Sequence, residues 1–300
     1  MKQVLIAGAS GLVGTALKHA LELKGYGIST LSHSQPTDQK QNRFHWNPAK
    51  GFIDESCLKD IDHVINLSGV GVFDKRWTSE YKQAIRDSRI NSTALLAKAI
   101  SKHASVQTFV NASAIGIYGA DTGTSWMDES SAIGTDYLAQ VVKAWEGEFF
   151  RETSTNTRKV ALRIGIVLSD KGGALPQMAM PIKYSVGSPM GSGLQYVSWI
   201  HLADLCALFI FALEQASLKG VYNAVAPEPV TNETLTVGIS KRLNKKLWLP
   251  NIPPVALKLL LGREKASVLL GGTRVKCDAL IQKGFVFHYK TLDEALHSFF

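Results

Sequence analysis

Short, wholly apolar runs alternate along this chain with longer stretches in which apolar residues recur every three or four positions. Val4-Leu5-Ile6-Ala7 is the first run. It stops at Gly8-Ala9-Ser10-Gly11, and Leu12, Ala16, Leu17, Ala20 and Leu21 follow at helical spacing. The run predicts a strand buried on both faces, and the 3.6-residue period predicts a helix packed beside it. Gly25-Tyr26-Gly27 breaks the helix, 28–31 predicts a second strand, and Phe44-His45-Trp46 predicts a short third. Positions 62–69 read as a strand running into a turn of small residues. A helix follows through Tyr81, Ile85, Ile90, Leu95 and Ile100, then a strand at 106–110, a helix at 136–151 and a strand at 159–164. Strands alternating with helices imply a parallel sheet covered on both faces, an α/β fold of the doubly wound Rossmann type.

From Ser169 the texture changes. Glycines and prolines between 172 and 193 predict a loop-rich excursion, 197–201 a return to the sheet, and 202–213 the helix after it. Beyond Pro227 the pattern gives small helices at 231–242, 254–261 and 291–299, the last opening on the capping box Thr291-x-x-Glu294. The expected domains are a dinucleotide-binding part at 1–168, completed by about 196–226, and a small, mainly helical substrate lid from 169–195 and 227–300.

The spacing Gly8-x-x-Gly11-x-x-Gly14 between strand and helix points to dinucleotide binding. Gly8 takes the turn, Gly11 lets backbone approach a pyrophosphate, and Gly14 permits close helix packing. The free N–H groups at the helix start complement the anion's charge. Selection of NAD usually places an acid about 20 residues past the glycines. Here Ser32-His33-Ser34 stands at that place, and the next acid, Asp38, lies beyond Pro36. Two hydroxyls and an imidazole receive a 2′-phosphate where a carboxylate would repel it, so NADP(H) is expected rather than NAD. Leu67-Ser68-Gly69 forms a small-residue turn suited to close passage of a ribose. Arg163, inside an apolar run, requires a partner, either a carboxylate or a bound anion.

Composition narrows the partners. Of 300 residues, 45% are hydrophobic and 19% charged, with a net charge of +8, which describes an ordinary folded protein. Its basic residues are scattered apart from Lys241-Arg242-Leu243-Asn244-Lys245-Lys246. No zinc spacing or aromatic RNA motif accompanies them, so the charge suits an anionic small molecule and nucleic acid is not expected. Cys57, Cys206 and Cys277 are odd in number and widely spaced, as in reduced cytoplasmic proteins. The apolar run 205–213 falls well short of the roughly 20 residues of a membrane helix, so no membrane is expected. The oligomeric expectation is a monomer or homodimer, and no metal constellation is visible.

The chain resembles the extended and atypical short-chain dehydrogenase/reductases. More narrowly, it is similar to the "epimerase family protein" group, nucleoside-diphosphate-sugar epimerase-like and sometimes labelled cell-division inhibitor. The resemblance spans essentially the whole chain. It rests on the glycine turn, Val64-Ile65-Asn66-Leu67-Ser68-Gly69, Arg76-Trp77-Thr78 with Ser88-Arg89, and Ser113-Ala114-Ile115-Gly116-Ile117-Tyr118-Gly119. Lys143-Ala144-Trp145-Glu146, Gly191 to Gln195 with Ser198-Trp199-Ile200-His201, Gly271-Gly272-x-Arg274 and Gly284-Phe285 complete it. The resemblance implies a Rossmann domain plus a small C-terminal domain. It also implies a cofactor held by Gly8, Ser10, Gly11, Leu12 and Val13, by Ser32 and His33, by Leu67, Ser68 and Gly69, and by Arg89 and Val167. Relatives commonly carry arginine where this chain has His33.

The superfamily's acid–base pair, Tyr-x-x-x-Lys on one helix face, is broken here. Tyr137 has Val141 at that spacing, and Lys143 follows six residues on, about 240° around the helix. When Glu146 is aligned with the glutamate after the usual motif, Leu138 and Val142 take the two positions. The remaining catalytic candidates are Ser113 and Tyr118, then His201. Two function classes stay open. One is an NADP(H)-dependent reductase or epimerase on a small polar substrate, nucleotide-sugar-like in type. The other is a non-catalytic dinucleotide-binding sensor or regulatory protein.

Overall fold

The computed structural model describes residues 1–35, 42–151 and 156–300. Asp38 lies outside the described residues. The backbone packs as two compact units. One holds Met1–Ser113, Val141–Leu162 and Cys206–Val221; the other holds Ala114–Gln140, Arg163–Leu205 and Tyr222–Phe300. The chain first enters the second unit at Ala114. The reason is local: Thr122 N–H donates to the Gly272 carbonyl at 2.8 Å, and Thr273 Oγ1 to that of Gly119 at 3.1 Å.

The elements follow in order: β1 Gln3–Ala7, α1 Leu12–Leu23, β2 Gly27–Ser32, β3 Arg43–Asn47, β4 Phe52–Ile53, β5 His63–Asn66, α2 Ser79–Ile100 and β6 Thr108–Ala114. Then come β7 Trp126–Met127, α3 Tyr137–Arg151, β8 Arg158–Ile164, β9 Ile166–Leu168, α4 Ala174–Lys183, β10 Tyr196–Val197, β11 Trp199–His201 and α5 Leu202–Glu214. The last are β12 Gly220–Ala224, β13 Val230–Thr231, α6 Asn232–Arg242, α7 Pro254–Leu261, α8 Arg263–Leu270, β14 Arg274–Val275, α9 Asp278–Gln282 and α10 Leu292–His297.

Eight strands form one sheet in the order β12-β8-β6-β5-β1-β2-β3-β4. β1 pairs parallel with both β2 and β5, and β5 with β6. The strand order reverses between β1 and β5, which is the switch point where open α/β sheets bind ligands beyond their carboxyl ends. The expected Rossmann architecture is present. Its apolar strands are buried because both faces are covered: Val4 to Ala7 are fully buried. Leu5, Trp46, Val64, Leu96, Phe109 and Phe149 belong to the first unit's core.

His63 opens β5 and is buried with neither ring nitrogen hydrogen-bonded. Burial pushes its pKa down to about 4. The three cysteines are free and buried, their thiols pushed up to about 12 by desolvation.

In the second unit, Leu168, Leu175, Trp199, Ile239 and Leu296 share a core. The stretch expected to be loop contains α4, whose Leu175, Ala179 and Ile182 are buried at helical spacing. Pro181 within it and the surrounding glycines masked that period. The capping box at Thr291 is formed in both halves. Among the described residues no helix is long and apolar enough to cross a membrane.

Candidate functional site

The glycine turn joins β1 to α1 in the first unit. Gly8 has φ +81°, and a Cβ there would meet the Leu67 carbonyl carbon at 2.8 Å and the Ser68 nitrogen at 2.9 Å. A side chain is thus excluded both by conformation and by the turn after β5. A Cβ on Gly14 would stand 2.2 Å from the Gly8 carbonyl oxygen. This glycine therefore seats the helix on the turn itself, a closer contact than the helix-to-strand packing expected. At Gly11 a Cβ would find only an ordinary contact, 3.6 Å from the same oxygen. Gly11 caps α1 without a side chain, so the first-turn N–H groups have neither an intrahelical acceptor nor a capping oxygen. This arrangement fits a pyrophosphate, with Ser10, Leu12 and Val13 completing the turn.

Leu67-Ser68-Gly69 is fixed from beneath by a buried polar network. Asn66 Nδ2 donates to Asn111 Oδ1 at 2.8 Å and to Thr93 Oγ1 at 3.1 Å, and Trp145 Nε1 donates to Thr93 Oγ1 at 2.8 Å. Asn66 Oδ1 accepts from the backbone N–H and the hydroxyl of Ser68. Arg89, on α2, donates to the carbonyls of Val70 and Ile85 at 3.0 and 2.9 Å. Its guanidinium lies over the Trp145 ring, 5.4 Å from the centroid. A Cβ on Gly69 would be 3.3 Å from Arg89 Cζ, so that glycine makes room for the arginine.

At the end of β2, Ser32 Oγ accepts from Arg43 Nη2 at 2.5 Å and from the Ser34 N–H at 3.2 Å. His33 is exposed, its ring 5.9 Å from that of Trp46. Arg43 is the residue that sequence reasoning missed. It reaches Ser32 because β3 pairs parallel with β2, Thr30 opposite Arg43. The short apolar run after Arg43 was the one available signal, and it did not say which strand β3 would join. Its guanidinium places a fixed positive charge beside Ser32.

Ser113 and Glu146 meet in the same unit. Ser113 Oγ donates to Glu146 Oε1 at 2.5 Å, and both are buried. α3 presents Glu146, Val142 and Trp145 inward while Lys143 is exposed, so Lys143 is not turned to the buried face that Val142 occupies.

In the second unit, Tyr118 is buried and its hydroxyl already engaged. It donates to Asn223 Oδ1 at 2.6 Å and accepts from Arg163 Nη1 at 3.0 Å. Burial holds the phenol pKa above its ordinary value, against the pull of Arg163. Arg163 also donates to the Glu129 carbonyl at 3.3 Å. Leu138 on α3 lies beside Gly116, its Cβ 3.9 Å from where a glycine Cβ would stand. His201 accepts the Ala203 N–H on Nδ1 at 3.0 Å, and its Nε2 lies 3.1 Å from Ser298 Oγ. Its ring is stacked between Tyr289 and Phe299, and desolvation pushes its pKa down to about 4. That is a packed structural histidine. Val167 sits in β9, opposite Ile200 of β11. Among the described residues no group of three or more His, Cys, Asp or Glu side chains gathers to hold a metal.

A doubly wound sheet with a glycine turn at its switch point defines a nicotinamide-dinucleotide-binding protein of the short-chain dehydrogenase/reductase type. The profile of the NAD-dependent epimerase/dehydratase family matches residues 4–224, and that of a domain of unknown function, DUF1731, matches residues 252–299. The chain belongs to this epimerase/dehydratase family. It is 38% identical over 293 residues to an epimerase family protein of Mycobacterium leprae, covering 98% of this chain and 94% of that one. The crystal structure of human epimerase family protein SDR39U1 (isoform 2) with NADPH superposes with a TM-score of 0.89 at 30% identity, covering 99% and 98% of the two chains. A nucleoside-diphosphate sugar epimerase from Corynebacterium glutamicum gives 0.81 at 29% identity, covering 98% of this chain and 57% of that one.

Proposed function

We propose that this protein binds NADP(H) and works as a reductase or epimerase on a small polar substrate, without a Tyr-x-x-x-Lys pair. The observation that carries the cofactor preference is the Arg43–Ser32 contact at the end of β2. Arginine and a serine hydroxyl together offer charge-assisted hydrogen bonds to a 2′-phosphate. The NADPH of the human relative supports the same choice. The bound dinucleotide would supply hydride chemistry; the chain's own task is to hold it and to manage a proton.

For that proton the Ser113–Glu146 pair is better equipped than Tyr118. A hydroxyl donating to a carboxylate can pass its proton on, whereas the Tyr118 phenol is held by Asn223 and kept above its ordinary pKa. A second reading has its own support. Ser113 and Tyr118 are both buried and hydrogen-bonded within the protein, as suits a dinucleotide sensor that turns nothing over.

The deciding experiment titrates the protein with NADPH and NADH, then follows NADPH oxidation in a metabolite extract. Tighter binding of NADPH with extract-dependent oxidation, lost in Ser113→Ala and Glu146→Gln, supports a reductase; an epimerised product without net oxidation, lost in the same variants, supports an epimerase. NADPH binding with neither oxidation nor a new product in any extract supports the sensor. Equal affinity for the two dinucleotides removes the NADP(H) assignment.

A further inference from the structure

Gly271-Gly272-x-Arg274 plays no part in the glycine turn, and in the second unit it builds a structure of its own. A Cβ on Gly271 would stand 2.3 Å from the Ala120 carbonyl oxygen, and one on Gly272 would stand 2.3 Å from the Tyr196 nitrogen. Only glycines let the chain slip between those two backbones. Just beyond, Thr273 N–H donates to the Tyr196 carbonyl at 3.2 Å and Val275 N–H to Ser198 Oγ at 2.9 Å. β14 pairs parallel with β7, placing Arg274 opposite Trp126.

The outcome is a guanidinium set over two aromatic rings. Arg274 Cζ lies 4.0 Å from the Trp126 centroid and 4.5 Å from that of Tyr196. Lys276 adds a second positive charge, its Nζ 5.9 Å from the Trp126 ring. Ring contacts leave hydrogen bonding to the guanidinium edge, where all five N–H donors lie. Among the described residues no carboxylate pairs with Arg274, and its buried Nε has no hydrogen-bond partner. Buried orphan groups are few in folded proteins, and a half-buried cation without a counter-ion costs stability. Trp126 is 41% exposed, so the cluster remains open to solvent.

We propose that Arg274, set over Trp126 and Tyr196 and assisted by Lys276, holds the carboxylate or phosphate of a small anionic ligand. Naming that ligand the substrate rests on the function proposed above; anion binding itself does not.

The test is a tryptophan-fluorescence titration of NADPH-saturated protein, so that the glycine turn is already filled. Sodium phosphate and sodium acetate are the probes, with sodium chloride at equal ionic strength as control. The expected result is a saturable change with phosphate, acetate or both that chloride does not reproduce and Trp126→Phe loses. Phosphate alone marks a phosphorylated ligand, and acetate alone a carboxylate. Arg274→Gln should abolish the change. Arg274→Lys should weaken it about tenfold, because an ammonium lacks the planar fork. Lys276→Gln should weaken it about threefold. Unchanged NADPH affinity certifies that each variant is folded. No saturable change in the wild type, or full affinity in both Arg274 variants, overturns the proposal. If the wild type fails to bind NADPH, the cofactor reading falls instead, and the same titration in a Gly11→Val background still decides the anion site.

Discussion

The glycine turn of the first unit and the arginine clamp of the second are both suited to anions, by opposite means. The turn presents backbone N–H groups, and side chains are excluded from it: a Cβ on Gly8 or Gly14 would collide with main chain. The clamp presents a side chain, and the glycines beside it merely let the strand through. The polar network under the turn is hydrogen-bonded throughout, from Asn66 through Thr93 to Asn111 and Trp145. The clamp leaves Arg274 Nε without a partner. A backbone site is complete once the chain has folded. A side-chain site keeps its polar groups in reserve for what binds.

The largest effect expected at the turn comes from Gly14→Val. Its Cβ would overlap the Gly8 carbonyl, a rigid neighbour, and should cost about 4 kcal/mol or more. Chemical denaturation should show a protein largely unfolded in water or nearly so.

Acid should separate the two units through their buried histidines. His63 in the first and His201 in the second both have folded pKa values near 4 against an ordinary 6.5. As pH falls below 6.5 the unfolded chain binds a proton at each, while the folded chain does so only near 4. Stability should therefore drop between pH 6.5 and 4, by up to about 3 kcal/mol per histidine, and change little from these groups above 6.5. His63→Phe should flatten part of that slope at no hydrogen-bonding cost, because neither of its nitrogens is bonded. His201→Phe should also flatten it but lower stability at pH 7, since the Ala203 and Ser298 contacts go with the ring. Denaturant midpoints across pH 4 to 8 measure both.

Gly11→Val probes the same turn without touching the fold. Its Cβ has room in the protein but would occupy the place of a phosphate. NADPH affinity should fall about 100-fold or more, worth about 2.7 kcal/mol, with the unfolding curve nearly unchanged. Arg43→Gln should weaken NADPH about tenfold and leave NADH alone, because only a 2′-phosphate calls on the guanidinium. Isothermal titration with both dinucleotides gives the comparison. Smallest is Tyr118→Phe, which leaves Asn223 Oδ1 and Arg163 Nη1 each one partner short and should cost about 1 kcal/mol of stability. Any turnover should survive it. A collapse of activity with intact stability would return Tyr118 to the catalytic role.

The sequence alone determined the alternation of buried strands and covering helices, the glycine turn and the capping box at Thr291. All three are written in consecutive residues, where a period of 3.6, an unbroken apolar run or a fixed glycine spacing follows directly from backbone geometry. It also showed Ser32-His33 where an acid is usual, and Val141 rather than lysine four residues after Tyr137. Only the tertiary structure set Arg43 beside Ser32. Arg43 stands eleven positions from Ser32, and their meeting depends on β3 joining β2 edge to edge. The same holds for Ser113 with Glu146, for Tyr118 with Asn223, and for Arg274 with Trp126 and Tyr196. Each joins segments 33 to 148 residues apart, brought together by strand pairing and core packing. Local pattern fixes what each segment becomes, and burial of the assembled core fixes which side chains meet.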